Sequence, residues 1–404
     1  MTTNEKPQRA LWHPFERNET DNMARFKNLT VKGFRRLSDI DVELRPLTVM
    51  IGVNGVGKSS MLEAVSLLSS SAEGRLRERI SHTGGLSSLL TAGRMDSLTL
   101  GVEMAVDRDA PLSYSMMLER RGPAYSITEE MLTQQRNPWP PPFKHIESRG
   151  EDVKYFDPDG AQLMRPTWRH DPFESSLAQV PKMFQASEEL RSHLASATLY
   201  HVLDVGPKAP ARLPQAMEPA DLPGSDGETL ASCLYYLRET DPDRFEAITD
   251  TLTAAFPHSF ERLDFPPVAA GTLAMTWRDP AFGKSLFANQ LSEGTLRFLW
   301  LVTLLQSPGL PSICMIDEPE VSLHPEMLSL LADLLREAST RSLVLVATHS
   351  DRLIRFLKPA EVLVVDMAED GSAVPTWADE LDLEEWLDEY TLDEAWRMGR
   401  MGGR

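Results

Sequence analysis

The sequence predicts an α/β fold in which helices cover a mixed central sheet, with an antiparallel β subdomain and a helical or irregular insertion. An apolar strand at Leu47–Ile51 ends in a glycine-rich loop, and apolar residues at helical spacing follow it. Alternating apolar and polar residues at Ser97–Val106 and Leu112–Glu119 are typical of half-buried antiparallel strands. From residue 286 onward, apolar runs of strand length alternate with helical patterns, which indicates a mainly parallel sheet.

The first elements surround the glycine-rich loop. Phe26–Val31 and Ile40–Leu44 predict two strands, joined by a turn at Arg35 and Arg36. The helix after the loop is predicted over Ser60–Ser69, because its apolar residues recur with a helical period.

The middle of the chain is less regular. Residues 136–175 are rich in proline, tryptophan and charge, and we interpret them as an irregular insertion. Helical patterns follow at Ser187–Ala197, Asp226–Glu239 and Pro242–Ala255. The remaining predicted strands are Ser312–Ile316, Ser342–Ala347 and Glu361–Val365.

The composition limits the class of protein. A chain of 404 residues is long enough for two or three domains, and 42% apolar with 25% charged residues is ordinary for a globular protein. The net charge of −19 repels nucleic-acid phosphates on average but leaves room for a local basic groove. The chain has two cysteines, and its polar start lacks a signal-peptide pattern. No apolar run approaches the ~18 residues that a membrane span needs. These observations predict a cytoplasmic protein away from membranes.

The segment Gly52–Ser59 fits the pattern G-x-x-x-x-G-K-S, with a strand before it and a helix after it. Glycines let the backbone curl so that N–H groups converge on phosphate oxygens, and the helix N-terminus adds the positive end of its dipole. Lys58 would bridge the β- and γ-phosphates, and the Ser59 hydroxyl would ligate Mg²⁺. The competing interpretation is a structural glycine turn.

Acidic residues end the apolar run Ile313–Ile316. A carboxylate at the carboxyl end of a parallel strand lies beside the phosphate loop, so Asp317 is expected to hold Mg²⁺, through water. Glu318 points to the other side of the strand end, where a carboxylate can polarise the attacking water. Glu320 is either a further acid at the site or a solvated loop residue.

Two more segments complete the pattern. His349 follows the apolar strand Leu343–Ala347, where it can donate a hydrogen bond to the γ-phosphate; a structural histidine is the alternative. Ser292 and Gly294 lie in Leu291-Ser-Glu-Gly-Thr295, just before an apolar helix, where they would present a hydroxyl and N–H groups to an anion. The functional interpretation is that they cap a γ-phosphate held by a second subunit, and the simpler one is a helix cap.

With these residues in view, the chain resembles the ABC-type ATPase class that includes RecF, SMC proteins and the OLD-family ATPases. Leu-Ser-Glu-Gly-Thr is similar to the ABC signature, and Glu318-Pro-Glu-Val-Ser-Leu-His-Pro325 is similar to the OLD-like loop after Walker B. The nearest resemblance is to compact bacterial RecF-like ATPases of the AAA family and covers most of residues 25–404.

The resemblance implies a set of site residues. It implies catalysis by Glu318 with Lys58, sensing by His349, and closure in trans by Ser292 with Gly294. It also suggests that Arg35 or Arg36 approaches the nucleotide base. ATP and Mg²⁺ would be bound by Asn54, Gly55, Val56, Gly57, Lys58, Ser59 and Ser60 together with Asp317.

The sequence departs from the class in two places. ABC-type heads carry a glutamine after the first helix, and Gln134 and Gln135 are the only candidates in that region. The loop after Glu318 lacks the usual aspartate, and Ser322 and His324 occupy it. In addition, only 55 residues follow His349, so we expect none of the Toprim nuclease domain that OLD nucleases carry.

The resemblance divides the chain into a leader (1–24), an N-terminal ATPase lobe (25–135), an insertion and helical region (136–285) and a C-terminal ATPase lobe (286–404). We expect a homodimer through two ATP sites, or a higher oligomer, acting in anti-phage defence or DNA maintenance with a separate nuclease or toxin as effector. The alternative is a RecF-like repair clamp that binds DNA directly. A transporter ATPase, a GTPase or a small-molecule kinase explains fewer of the motifs.

Overall fold

A computed structural model describes residues 26–91, 94–106, 109–136, 140–157, 160–281, 283–382 and 390–401. The predicted leader, 1–24, lies outside the described residues, as does the end of the chain after residue 401.

The described residues form two large sheets, two small sheets and the helices around them. In chain order the strands are β1 (Phe26–Phe34), β2 (Leu37–Glu43), β3 (Leu47–Ile51), β4 (Ser97–Val106), β5 (Asp109–Arg121), β6 (Ala124–Gln134), β7 (Phe143–Arg149), β8 (Asp152–Asp157), β9 (Gln162–Met164), β10 (Thr198–Tyr200), β11 (Gln215–Ala216), β12 (Arg262–Asp264), β13 (Pro267–Ala269), β14 (Thr272–Leu273), β15 (Thr276–Arg278), β16 (Ser285–Phe287), β17 (Ile313–Asp317), β18 (Leu343–Ala347), β19 (Val362–Met367) and β20 (Ala373–Trp377). The helices are α1 (Lys58–Ala72), α2 (Leu76–His82), α3 (Leu86–Leu89), α4 (Ser176–Gln179), α5 (Gln185–Ala195), α6 (Leu230–Thr240), α7 (Pro242–Ala255), α8 (Glu293–Gln306), α9 (Met327–Ala338), α10 (Asp351–Ile354) and α11 (Leu392–Arg397).

The central sheet has the order β10-β17-β18-β3-β19-β20. Its strands are parallel except for β20, which pairs antiparallel with β19, so the predicted mixed sheet is confirmed. The apolar runs of β3 and β18 are buried along their whole length, as expected for strands covered on both faces. Because the strands are parallel, their carboxyl ends meet at one edge, where Asp317 pairs with Ala347.

Strand β3 belongs to two hydrophobic cores. Val49 and Ile51 pack into the core that contains α8 and α9, whereas Met50 packs into the core that contains α1 and the antiparallel sheet. Alternate residues of a strand point to opposite faces, so this short strand joins the two cores directly below the glycine-rich loop.

The second large sheet is antiparallel, with the order β2-β1-β4-β5-β6-β7-β8-β9. The strands predicted at Ser97–Val106 and Leu112–Glu119 lie within it. The interpretation of residues 136–175 as irregular is wrong for β7, β8 and β9, which extend the sheet. Buried Ile146, Val153 and Tyr155 hold these strands to the core, although polar residues alternate with them.

The region 136–285 also differs from its helical prediction in detail. Helix α7 spans Pro242–Ala255 as predicted, but α6 begins at Leu230, not at Asp226. Two three-stranded sheets, β11-β14-β13 and β12-β15-β16, precede α8. Among the helices of the described residues, none combines the length and the apolar character that a membrane crossing requires.

Candidate nucleotide site

The glycine-rich loop joins β3 to α1. A Cβ added at Gly52 would meet the Val365 carbonyl oxygen, and Gly57 lies at φ 125° with Leu37 Cδ2 only 3.1 Å from where its Cβ would be. At Gly55, with φ 74°, an added Cβ would meet nothing within 4 Å. The loop is therefore held against the protein at both ends and open at its crest.

The start of α1 presents free donors. Within the described residues no side chain caps this helix, whose N-cap is Gly57. The first N–H groups of an α-helix have no partner inside the helix, and they form an anion site together with the helix dipole. Ser59 and Ser60 belong to this first turn, as expected for phosphate ligands.

Lys58 is buried, and its ammonium group points back into the loop. Its Nζ donates hydrogen bonds to the carbonyl oxygens of Gly52 at 2.8 Å and Val53 at 3.1 Å, and lies 3.2 Å from His349 Nδ1. Burial lowers the Lys58 pKa to about 8, although the carboxylates of Asp317, Glu318 and Glu320 oppose the shift. Lys58 is thus a desolvated positive charge that faces several carboxylates. Such a site is suited to binding a polyanion, such as a phosphate chain, together with its metal ion.

Ser59 and Asp317 form the candidate Mg²⁺ site. The Ser59 hydroxyl donates to Asp317 Oδ1 at 3.3 Å, so the two predicted ligands lie side by side. Burial raises the Asp317 pKa, and a nearby cation would lower it again. A hydroxyl and a carboxylate are the oxygen ligands that Mg²⁺ takes beside a phosphate, so these residues fit the ion.

Glu318 and His349 face each other across the ends of β17 and β18. His349 Nε2 lies 3.6 Å from Glu318 Oε1, and the Glu318 N–H donates to the Ala347 carbonyl oxygen at 2.8 Å. The backbone of Glu318 has φ 53°, a left-handed conformation that is rare for residues other than glycine, asparagine and aspartate. Strained backbone of this kind is common at functional sites.

His349 lies between Lys58 and Glu318. Burial, followed by the Lys58 charge, lowers the His349 pKa. Its Nδ1 lies 3.2 Å from Lys58 Nζ, and its Nε2 is on the side of Glu318. The ring is thus placed beside the predicted base.

The sequence left open whether Glu320 is a further acid at the site or a solvated loop residue, and its contacts decide between the two. Its side chain is mostly buried, and Thr348 Oγ1 donates to its Oε1 at 2.6 Å. The backbone N–H of His349 donates to the same oxygen at 3.3 Å. Glu320 is therefore not a solvated loop residue.

Ser292 and Gly294 lie at the start of α8. Ser292 caps the helix, with Oγ accepting from the Thr295 N–H at 3.1 Å and contacting Thr295 Oγ1 at 2.7 Å. A Cβ added at Gly294 would be 2.5 Å from the Ser322 carbonyl oxygen, so this close approach requires glycine. Within one chain the contacts of these two residues are with their own helix and with the loop after Glu318.

Two residues near the acidic strand end carried no signal in the sequence. Arg297, one turn into α8, donates to Ser322 Oγ and to the Leu203 carbonyl oxygen at 3.2 Å. His201 follows the edge strand β10 and lines a small cavity with Arg297, Asp317 and Glu318. His201 reaches the site only through the fold, because β10 pairs with β17 from more than 110 residues away, and Arg297 reaches it from α8.

The remaining candidates separate into two groups. Arg35 pairs with Glu63 of α1 at 2.6 Å, and Arg36 donates to the Gly371 carbonyl oxygen at 3.0 Å, so both flank the loop. Gln134 instead lies in the antiparallel sheet, where its amide donates to the Ala110 carbonyl oxygen at 2.7 Å and its oxygen lies 3.2 Å from His145 Nε2. These contacts make Gln134 a structural residue of the sheet.

The sheet order, the glycine loop and the strand-end residues together define a P-loop fold of the ABC-ATPase class. Two solved structures share it: an SMC head bound to the C-winged helix domain of ScpA, and an SMC head with an extended coiled coil bound to the C-terminal domain of ScpA from Pyrococcus furiosus. The first has a TM-score of 0.53 at 14% identity, and the second 0.54 at 12%. Each match covers 90% of this chain and 99% of the other.

The chain belongs to the family described as "AAA domain, putative AbiEii toxin, Type IV TA system", whose model matches residues 47–355. A curated relative, the OLD nuclease of Thermus scotoductus, is 52% identical over 42 residues. That segment is 10% of this chain and 8% of the relative, so the two share only a short stretch. The resemblance to OLD-like and RecF-like ATPases of the AAA family is confirmed.

Proposed function

We propose that the chain binds ATP with Mg²⁺ and hydrolyses it to ADP and phosphate. One observation carries the proposal: the contacts Lys58–His349–Glu318 and Ser59–Asp317 lie side by side at the carboxyl edge of a parallel sheet, because Lys58 precedes Ser59 and Asp317 precedes Glu318. A structural glycine turn accounts for the loop alone and leaves the three strand-end residues unexplained.

Each residue has a role that its geometry supports. The first N–H groups of α1 and the Lys58 ammonium bind the β- and γ-phosphates, which draws Lys58 away from the loop carbonyls. Ser59 and Asp317 would hold Mg²⁺, which would neutralise negative charge on the phosphate oxygens.

Hydrolysis requires a water molecule aligned with the γ-phosphorus. Glu318 orients this water and accepts its proton, the water oxygen forms the new bond to phosphorus, and the bond to the β-phosphate oxygen breaks with its electrons leaving on ADP. His349, whose Nε2 lies 3.6 Å from Glu318 Oε1, donates to the γ-phosphate beside this water.

The first experiment separates binding from hydrolysis. Glu318→Gln should still bind ATP, but its turnover should fall by at least about 100-fold, because the amide cannot accept the proton. Phosphate release and titration with a fluorescent ATP analogue measure the two effects. Glu326→Gln, at an exposed glutamate on the following segment, is the matched control. Equal turnover in wild type and Glu318→Gln would remove Glu318 as the base.

We further propose that two copies close head to tail over two ATP molecules, with Ser292 of each copy facing the γ-phosphate on the other. The support is that Ser292 sits at a helix N-terminus on an exposed surface. ATP should shift Glu318→Gln from monomer to dimer in sedimentation experiments, and a species that stays monomeric at saturating ATP would contradict this arrangement.

The closed dimer would hold or restrain a separate effector, such as a nuclease or a toxin, in anti-phage defence or DNA maintenance. The alternative, a clamp that binds DNA directly, needs a basic groove. Two of the arginines after α1 are already neutralised by carboxylates, because Arg75 pairs with Glu78 at 3.0 Å and Arg77 with Asp171 at 2.8 Å. They therefore contribute little to a basic groove. Co-purification of a nuclease or toxin with Glu318→Gln supports the effector role, and tight DNA binding at low salt supports the clamp.

A further inference from the structure

We propose that Glu320 is a positioning residue whose carboxyl group fixes the loop carrying His349 against the strand end carrying Glu318. The inference rests on the proposed hydrolysis of ATP and assigns a residue that acts through its neighbours without contacting the substrate.

The carboxyl group joins the two strand ends through one oxygen. Glu320 Oε1 accepts the Thr348 hydroxyl at 2.6 Å and the His349 backbone N–H at 3.3 Å. Thr348 continues the chain of contacts, because its Oγ1 accepts the Ser350 N–H at 2.9 Å. Three successive residues after β18 are thus held from the loop after β17.

This arrangement determines where the His349 ring lies. Its backbone N–H is fixed by Glu320, while its side chain contacts Lys58 Nζ at 3.2 Å and Glu318 Oε1 at 3.6 Å. Displacement of the loop would change both side-chain distances together. A shift of about 1 Å in such a group can reduce a rate by up to about 100-fold.

The second carboxyl oxygen faces the protein interior. Glu320 Oε2 is buried and has no hydrogen-bond partner among the described residues. Burial also raises the Glu320 pKa. The bridge between the two strand ends therefore runs through Oε1.

The two sides of the carboxyl group allow a sharp test. In Glu320→Gln the amide oxygen can keep both contacts of Oε1 and the NH₂ group takes the unpartnered side, so we expect kcat within about threefold of wild type. In Glu320→Ala both contacts are lost, and we expect kcat to fall about 10- to 100-fold. The affinity for a fluorescent ATP analogue should stay within about twofold in both variants, and Glu326→Gln is the matched control.

The partner in the bridge gives an independent pair of variants. Thr348→Ser keeps the hydroxyl and should behave as wild type, whereas Thr348→Val removes it and should lower kcat, by less than Glu320→Ala because the contact with the His349 N–H remains. The double variant Glu320→Ala, Thr348→Val should lose no more than Glu320→Ala alone, because both break the same bridge. Additive losses would overturn the proposal.

The outcomes distinguish this inference from the proposed function. If Glu320→Gln is as inactive as Glu320→Ala, the carboxyl group takes part in the chemistry and the positioning role is wrong. If the wild type hydrolyses no ATP, the proposed function fails, and amide hydrogen exchange then tests the bridge alone. Exchange at His349 and Ser350 should speed up at least about tenfold in Glu320→Ala but not in Glu320→Gln, and unchanged exchange in both would overturn the bridge.

Discussion

The two halves of the candidate site are built differently. Around the phosphate loop, one helix (Lys58 and Ser59) and the ends of two parallel strands (Asp317 and Glu318, and His349) supply residues that contact each other within one chain. At the start of α8, the side-chain hydrogen bonds of Ser292 in the described residues are both with Thr295 of the same helix. The first half therefore joins several elements of the fold, whereas the second is a capped helix start whose proposed role needs a second copy.

This difference indicates which contacts the fold itself secures. The phosphate side is stabilised by buried strands, so its geometry follows from folding. The α8 side is an ordinary capped helix, and its proposed role depends on a second copy. Variants can therefore separate the two halves, since each should lose a different property.

The largest effect is expected on the phosphate side. Lys58→Ala should weaken ATP binding by at least about 10- to 100-fold, because a charge-assisted contact to phosphate is lost. Titration with a fluorescent ATP analogue measures the loss. Lys32→Ala removes an exposed lysine from β1 and should leave binding unchanged. Normal affinity in Lys58→Ala would mean that the loop does not bind the triphosphate.

The next effect tests the α8 side alone. Aspartate and asparagine cap helices about as well as serine, so Ser292→Asp and Ser292→Asn should both fold normally. Only the aspartate places a negative charge against a γ-phosphate from the other copy. Turnover should therefore fall by at least about tenfold in Ser292→Asp, with ATP affinity of the monomer unchanged. Equal turnover in the two variants would show that the halves do not meet.

A smaller effect is expected where the two halves touch in one chain. Gly294→Ala places a Cβ about 2.5 Å from the Ser322 carbonyl oxygen. The clash should outweigh the better helix propensity of alanine and lower the free energy of unfolding by about 1–2 kcal/mol. Urea unfolding measures this change, and greater stability in the variant would show that α8 is free to move from the loop.

The smallest effect concerns the buried charge itself. The folded pKa of Lys58, about 8, lies below its ordinary value of 10.5. Below about pH 8 Lys58 is protonated in both the folded and the unfolded state, so the cost of burying its charge is fully present. Between about pH 8 and 10.5 the unfolded state binds more protons than the folded state, so the free energy of unfolding rises with pH. Without nucleotide, Lys58→Met should be more stable than wild type at about pH 7, and the gap should narrow by about pH 9.5. An unchanged gap would contradict the lowered pKa, and Lys32→Met is the control.

The sequence predicts the phosphate side well because its signals are local. A strand, a glycine loop and a helix follow each other at 47–72, and each strand-end residue comes directly after an apolar run. Parallel strands then bring these ends together without further information. For the same reason Pro242–Ala255 is predicted to the residue, since a proline begins it and its period is clear.

The sequence fails where contacts join distant segments. Strands β7–β9 are short and polar, and they are fixed by pairing in sequence, β7 with β6, β8 with β7 and β9 with β8. His201 and Arg297 become neighbours of Glu318 through sheet order and helix packing, which no local pattern records. Glu320 looks like any acidic loop residue until the fold places Thr348 beside it.

Strand β3 has a mechanical consequence. Because successive side chains of this five-residue strand are embedded in different cores, the ribbon below the phosphate loop is clamped from above and below. A displacement of this strand would therefore disturb the packing of both interiors at once.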